Sequence, residues 1–287
     1  MKIKAILPVY SGWENLEAVS GAASSTGEFF RLEKTLENFF KYNPNIPVTV
    51  VNDGGQTPIE ITSKFDNCYL IDDTENSWIQ ESIFNSVGAP GYLWFKRLYD
   101  FASEDDFTHI IYLETDVLTR RKIVHVPRYD MAGCGMVSSQ HANDFYWDYF
   151  GIDKTTKHRR SLKGGIEYDA PWSGEHHNIS FLHYGTGGTI FSKSFFEKTS
   201  GKLPLIKKFN DQKPDCFLQD LAITSLALVS NCSVGEWEDL CIDEESISWL
   251  SNKDEILSRP TGNEALVHKH EFNYSKVHKP PVCKCST

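Results

Sequence analysis

The chain lacks the glycine signatures that announce several large enzyme classes. GxxxxGK[ST], GxGxxG and GxSxG are all absent from its 287 residues, which weighs against P-loop phosphotransferases, Rossmann dehydrogenases and α/β-hydrolases. Long apolar runs are missing too. No stretch approaches the roughly 20 apolar residues that cross a bilayer, so no transmembrane segment is expected. The N-terminal MKIKAILPVYSGW is too short in apolar residues for a signal sequence and is broken by Pro8, so it reads as a strand and the protein as cytoplasmic. Positive charge is also in short supply. With 29 basic against 39 acidic residues the formal charge is −10, which argues against a nucleic-acid partner, since phosphate backbones are gripped by clustered Lys and Arg. The one dense basic run, Lys154 to Lys163 (KTTKHRRSLK), reads as a solvated loop. Cysteine comes as an odd seven, and Cys68, Cys134, Cys216, Cys232 and Cys241 lie in or beside apolar stretches. That pattern suits buried free thiols in a reducing compartment. Three N-x-S sequons, at Asn178, Asn231 and Asn273, matter only in a secreted protein.

What is present is a large apolar fraction, 40%, ample for a sizeable core. In the first 120 residues it is laid out as alternating strand and helix. Residues 3–9 (IKAILPV) predict a first strand. Ser25 and Glu28 have the spacing of a capping box, and the helix behind them carries a stripe of Phe29, Leu32, Leu36, Phe39 and Phe40 that stops before Asn43-Pro44. Residues 47–51 and 68–71 predict two more strands, and 91–102 a helix. Such alternation implies a mostly parallel sheet. The second half is less regular. Strands are expected at 131–137 and 189–191, a loop-rich stretch at 151–188, and a capping box at Ser194 and Glu197. An amphipathic helix is expected at 217–229, with a final strand at 233–237.

The most informative stretch is HIIYLETDVL, from His109 to Leu118. A short apolar run reads as a buried strand, and it runs straight into Glu114-Thr115-Asp116. If the chain stays extended there, the two carboxylates point the same way. Carboxylates at a buried strand end need a cation, and in open α/β sheets that end is where ligands sit. A divalent metal holding a phosphorylated ligand is the economical reading.

Four further places could carry chemistry. Asp53 ends the second strand before two glycines, where a carboxylate can accept hydrogen bonds from a base or ribose. Gln219-Asp220 opens a helix, where an acid can serve the helix dipole or act as a general base. Gly185-Thr186-Gly187-Gly188 permits close approach of the backbone to a substrate. His268 and His270 follow the apolar Ala265-Leu266-Val267 and are candidate metal ligands. A zinc site with His278, Cys283 and Cys285 fits no strong ligand spacing.

Taken in order, these features resemble the GT-A family of nucleotide-sugar-dependent glycosyltransferases, over most of the chain. The resemblance implies a single α/β domain, 1–287, with a mostly parallel central sheet flanked by helices and a Rossmann-like N-terminal half. Residues 1–120 would bind the nucleotide sugar and 121–270 the acceptor, leaving 271–287 as a tail. Pro8-Val9-Tyr10 is similar to the motif that ends the family's first strand. Asp53 matches the acid that reads the nucleoside, and Lys96 or Arg97 the basic residue near the nucleotide. Glu114-Thr115-Asp116 looks like a variant of the family's Asp-x-Asp, with Asp116 as metal ligand and Glu114 binding metal, its water or ribose. Gly187 and Gly188 resemble the segment lining the bound ligand on the acceptor side. Asp220 resembles the base of inverting members, although Gln219 stands where their pair has Glu. His268, favoured over His270, resembles the additional metal ligand.

The implied cofactor is Mn²⁺ or Mg²⁺, and the implied partners are a nucleotide-sugar donor, UDP-sugar favoured, and a hydroxyl acceptor such as a glycan. Trp147 and Trp172 could stack on the sugar. Two alternatives are a sugar-phosphate nucleotidyltransferase, whose signature residues 10–14 lack, and an inactive carbohydrate-binding protein on the same scaffold.

Overall fold

The computed structural model describes residues 2–9, 25–53, 56–72, 92–104, 106–134, 136–138, 146, 148–152, 158–161, 167–170, 181–183, 187–212, 219–242 and 263–268. The first half contains β1 (Ile3–Val9), α1 (Ser25–Tyr42), β2 (Val48–Asn52), α2 (Ile59–Thr62), β3 (Cys68–Asp72), α3 (Tyr92–Ser103), β4 (His109–Tyr112) and β5 (Val117–Thr119). Then come β6 (Met131–Gly133), β7 (Met136–Ser138), β8 (His158–Ser161), β9 (Glu167–Ala170), β10 (Phe181–His183) and β11 (Ile190–Ser192). The chain continues through α4 (Lys193–Thr199), α5 (Leu203–Gln212), α6 (Gln219–Val229), β12 (Val234–Glu236), β13 (Leu240–Ile242) and β14 (Leu266–His268).

Nine strands form the main sheet, in the order β3-β2-β1-β4-β11-β6-β12-β8-β9. Seven run one way, and β11 and β9 run against them. The order climbs outward from β1 through β2 to β3 on one side and resumes with β4 on the other. That reversal opens a crevice at the carboxyl ends of β1 and β4, where ligands bind in sheets of this kind.

Strand alternation sorts the core into two layers. Ile6, Ile110 and Tyr112 face a cluster with Trp94, Phe95, Phe195, Phe209 and Leu226, so α3, α4, α5 and α6 cover one side. Ala5, Leu7, Ile111 and Leu113 face Leu32, Leu36 and Phe39 of α1, together with Val117, Leu240 and Leu266. Those last three belong to a second, three-stranded sheet, β13-β14-β5. The fully buried α1 stripe at 32, 36 and 39 has helical spacing, and each such side chain contributes about 1.5–3 kcal/mol by leaving water.

Several expectations need correction. The α4 N-cap is Ser192, whose hydroxyl accepts from the Phe195 amide, so the cap lies two residues before the expected Ser194. The α6 helix is not amphipathic. Nine of its residues, from Gln219 through Leu228, are buried, because it runs through the interior under the sheet. The single strand expected at 131–137 is two, since β6 belongs to the main sheet while β7 pairs with β10. The region 151–188 contains β8, β9 and β10; HRRS and EYDA pair as an antiparallel edge without any apolar period to announce them. Part of the basic run is therefore strand rather than loop. The strand near 234 is not the last, as β13 and β14 follow. Among the described residues, Cys68, Cys134, Cys232 and Cys241 form no disulfide. Among the described residues, no helix is long and apolar enough to cross a membrane.

Candidate functional site

The acidic stretch is a turn rather than an extension of β4. The Val117 amide donates to the Glu114 carbonyl at 3.0 Å, closing a four-residue turn over Thr115 and Asp116. The Leu113 amide donates to Ile6 at 2.8 Å, which anchors the entry, and the Thr35 hydroxyl of α1 donates to the Thr115 carbonyl at 3.1 Å. The two carboxylates thus converge by turning, not by strand alternation.

His268 reaches them through the small sheet. Antiparallel pairing of β14 with β5 sets His268 opposite Val117, one residue after Asp116. Parallel pairing with β13 sets it beside Ile242. The buried imidazole Nε2 lies 3.3 Å from Glu114 Oε2 and 3.3 Å from Asp116 Oδ1. Ligand atoms of the three residues all lie within 4.8 Å of one another. Two carboxylate oxygens and one imidazole nitrogen form a donor set suited to Mn²⁺, or to Mg²⁺ with less preference for the nitrogen. Burial works against charging His268, but Asp116 and Glu114 outweigh it and raise its pKa well above the ordinary imidazole value. The same two acids that attract that proton would attract a metal ion.

Tyr112 and Gly187 frame Glu114. The buried Tyr112 phenol donates to Glu114 Oε1 at 2.9 Å. A Cβ on Gly187 would strike the Glu114 carboxylate, so only glycine leaves that carboxylate its place. Gly188 is glycine for a different reason. Its φ of +90° favours a residue without a side chain, and its amide donates to the Tyr112 carbonyl at 2.7 Å.

Asp220, in the first turn of α6, is electrostatically coupled to both Glu114 and His268, and it remains partly accessible. Desolvation and the neighbouring Glu114 charge push its pKa up to about 7, against a smaller lowering by His268. A carboxylate poised near neutrality is suited to take up a proton.

The end of β2 is arranged otherwise. Asp53 is fully buried and forms an ion pair with Arg97 of α3, while its amide donates to the Val9 carbonyl at 2.8 Å. Pro8 and Val9 end β1 beside it, both buried. Lys96 points away on the exposed face of α3, paired with Asp100, so of the two basic candidates Arg97 faces the strand ends. Tyr10, Trp147, Trp172, Gly185, Thr186 and His270 lie outside the described residues, as do His278, Cys283 and Cys285. The sequence reading assigns Tyr112 to the core only. Its place two residues before an acid, on the same strand face, is the signal that could have found it.

No protein-family profile matches the sequence, and no curated protein matches it. Solved structures do. One is a galactosyltransferase, LgtC, in complex with donor and acceptor sugar analogues, at 10% identity and a TM-score of 0.51, with 93% of this chain and 86% of that one covered. Another is core-mannan synthase A from Aspergillus fumigatus in a Mn/GDP form, at 9% identity and a TM-score of 0.54, covering 83% of this chain and 73% of that one. The likeness establishes the GT-A fold.

Proposed function

We propose that this GT-A chain is a metal-dependent glycosyltransferase. It moves a sugar from a nucleotide-sugar donor to a hydroxyl acceptor with inversion at the anomeric carbon. The observation that carries the reading is the convergence of Glu114, Asp116 and His268 at the carboxyl end of β4, beside the sheet's switch point. The named activities of the structural neighbours support it, and the Mn/GDP form of one supports Mn²⁺ as the ion.

Glu114, Asp116 and His268 would hold the ion, which when bound neutralises the diphosphate leaving group. Pro8, Val9 and Asp53, all buried, back the nucleotide end of the crevice, with Asp53 holding the partly exposed Arg97 in place. Gly187 leaves room for the Glu114 carboxylate and Gly188 supplies the positive-φ turn beside it, so that this segment borders the bound donor. Asp220 accepts the proton of the acceptor hydroxyl as its oxygen bonds to the anomeric carbon. The bond from that carbon to the diphosphate breaks, and the bonding pair leaves with the nucleotide. A UDP-sugar is the first donor to try and a GDP-sugar the second.

The test is release of nucleoside diphosphate from UDP- and GDP-sugars offered with simple glycan acceptors, with Mn²⁺ present and after its removal by EDTA. Metal-dependent release from one donor class is expected. Release that is indifferent to EDTA would contradict the metal site.

A further inference from the structure

We propose that Tyr112 and Gly187 are positioning residues that fit the first acidic position of the metal site to a glutamate rather than an aspartate. The inference rests on the reading of Glu114 as a metal ligand. The two carboxylate oxygens of Glu114 have separate surroundings. Oε1 accepts from the Tyr112 phenol at 2.9 Å, while Oε2 faces His268 Nε2 at 3.3 Å. Holding one oxygen leaves the other aimed at the ion position.

The phenol is itself confined. Tyr112 is fully buried, and its ring meets Trp94 edge-on at 4.8 Å between centroids. Removing a group that orients a ligand in this way typically costs about 10- to 100-fold in metal affinity.

Gly187 contributes space. A Cβ there would lie 2.9 Å from Glu114 Cδ and 3.1 Å from Cγ, closer still to Oε2. What a side chain at 187 would meet is the Glu114 side chain, so the constraint is room for the carboxylate. An aspartate, shorter by one bond of about 1.5 Å, would neither reach the phenol nor need that room. The side-chain length at 114, the hydroxyl at 112 and the missing Cβ at 187 therefore form one matched set.

The experiment is a Mn²⁺ titration followed by electron paramagnetic resonance, run with Mn²⁺ alone and with UDP or GDP present. The proteins are the unsubstituted chain, Gly187→Ala, Tyr112→Phe and Glu114→Asp, plus each of the first two combined with the third. Gly187→Ala and Tyr112→Phe should each weaken Mn²⁺ binding by about 10- to 100-fold. In the Glu114→Asp background each should change it by less than about threefold, because the contact is already gone. A merely structural role for either residue would weaken binding equally in both backgrounds, and that result overturns the proposal. Native Mn²⁺ affinity in both single variants also overturns it, while leaving the metal site standing. Absence of Mn²⁺ binding by the unsubstituted chain in every arm removes the proposal and the metal reading together. Melting of the metal-free variants checks the fold, and if Tyr112→Phe fails to fold, the Gly187→Ala pair decides alone.

Discussion

Strands β2 and β4 both carry carboxylates to the same edge of the sheet, and the two ends treat them differently. At the end of β2, Asp53 is wholly buried and meets a guanidinium, Arg97, one charge against one. Beyond β4, Glu114 and Asp116 share the imidazole of His268, and Asp220 feels the charges of Glu114 and His268. Burial first and the Glu114 charge second raise the pKa of Asp220, while Asp116 and Glu114 raise that of His268 against its burial. Two acids sharing one basic group are electrostatically unsettled in a low-dielectric site. The comparison teaches that a strand-end acid by itself says little. An excess of acid over built-in cation is what distinguishes a metal site from an internal brace.

The largest effect that would break this contrast is on the braced side. Arg97→Ala leaves Asp53 buried without its cation and should destabilise the fold by about 3–5 kcal/mol. Adding Asp53→Asn should restore part of that loss, measured by urea unfolding. On the other side, Asp220→Asn should cut glycosyl transfer by about two orders of magnitude or more while donor binding persists. Near-normal turnover would place the base elsewhere.

The same substitution should sharpen the contrast through stability. The folded-state pKa of Asp220 is raised to about 7 from an ordinary 3.8, so the folded protein binds its proton more tightly than the unfolded chain. Stability from this group is therefore greatest in acid and is lost as pH rises from about 4 to about 7. Metal-free Asp220→Asn should be more stable than the unsubstituted protein by roughly 2 kcal/mol at pH 8, a figure reduced for the side chain's partial exposure, and no more stable near pH 4. The smallest effect expected is from Thr35→Val, which removes one hydrogen bond to the Thr115 carbonyl and should lower stability by about 1 kcal/mol.

Much of the first half could be read in advance because its signals are local. The apolar period of 3–9, the 32, 36 and 39 stripe and the stop at Asn43-Pro44 each depend on a few neighbouring residues. What escaped reading depends on distant partners. His268 meets Asp116 only because β14 chooses β5, some 150 residues earlier, as its antiparallel neighbour. The sequence offers His268 as a metal ligand by its place after an apolar run and by resemblance, but not the strand pairing that brings it to Asp116. Asp53 and Arg97 were each visible, but not as a pair, since α3 must first pack across the sheet before they meet. The turn at 114–117 was hidden by β-favouring residues on either side. HRRS and EYDA were hidden because strands of this polarity at the end of a sheet lack any apolar alternation. Tyr112 belongs to the apolar run read as a buried strand, and its hydroxyl's role comes from Glu114 lying two residues on along the same face.

The central claim, that the acidic excess beyond β4 holds a metal that holds a nucleotide, is tested most directly by thermal melting. The unsubstituted protein and Asp116→Asn would each be melted with UDP or GDP, with and without Mn²⁺. One nucleotide near 100 times its dissociation constant should stabilise the unsubstituted protein by about 2.7 kcal/mol, and only when Mn²⁺ is present. Asp116→Asn should melt normally and show no such gain. A nucleotide shift that needs no Mn²⁺, or that survives Asp116→Asn, would contradict the claim.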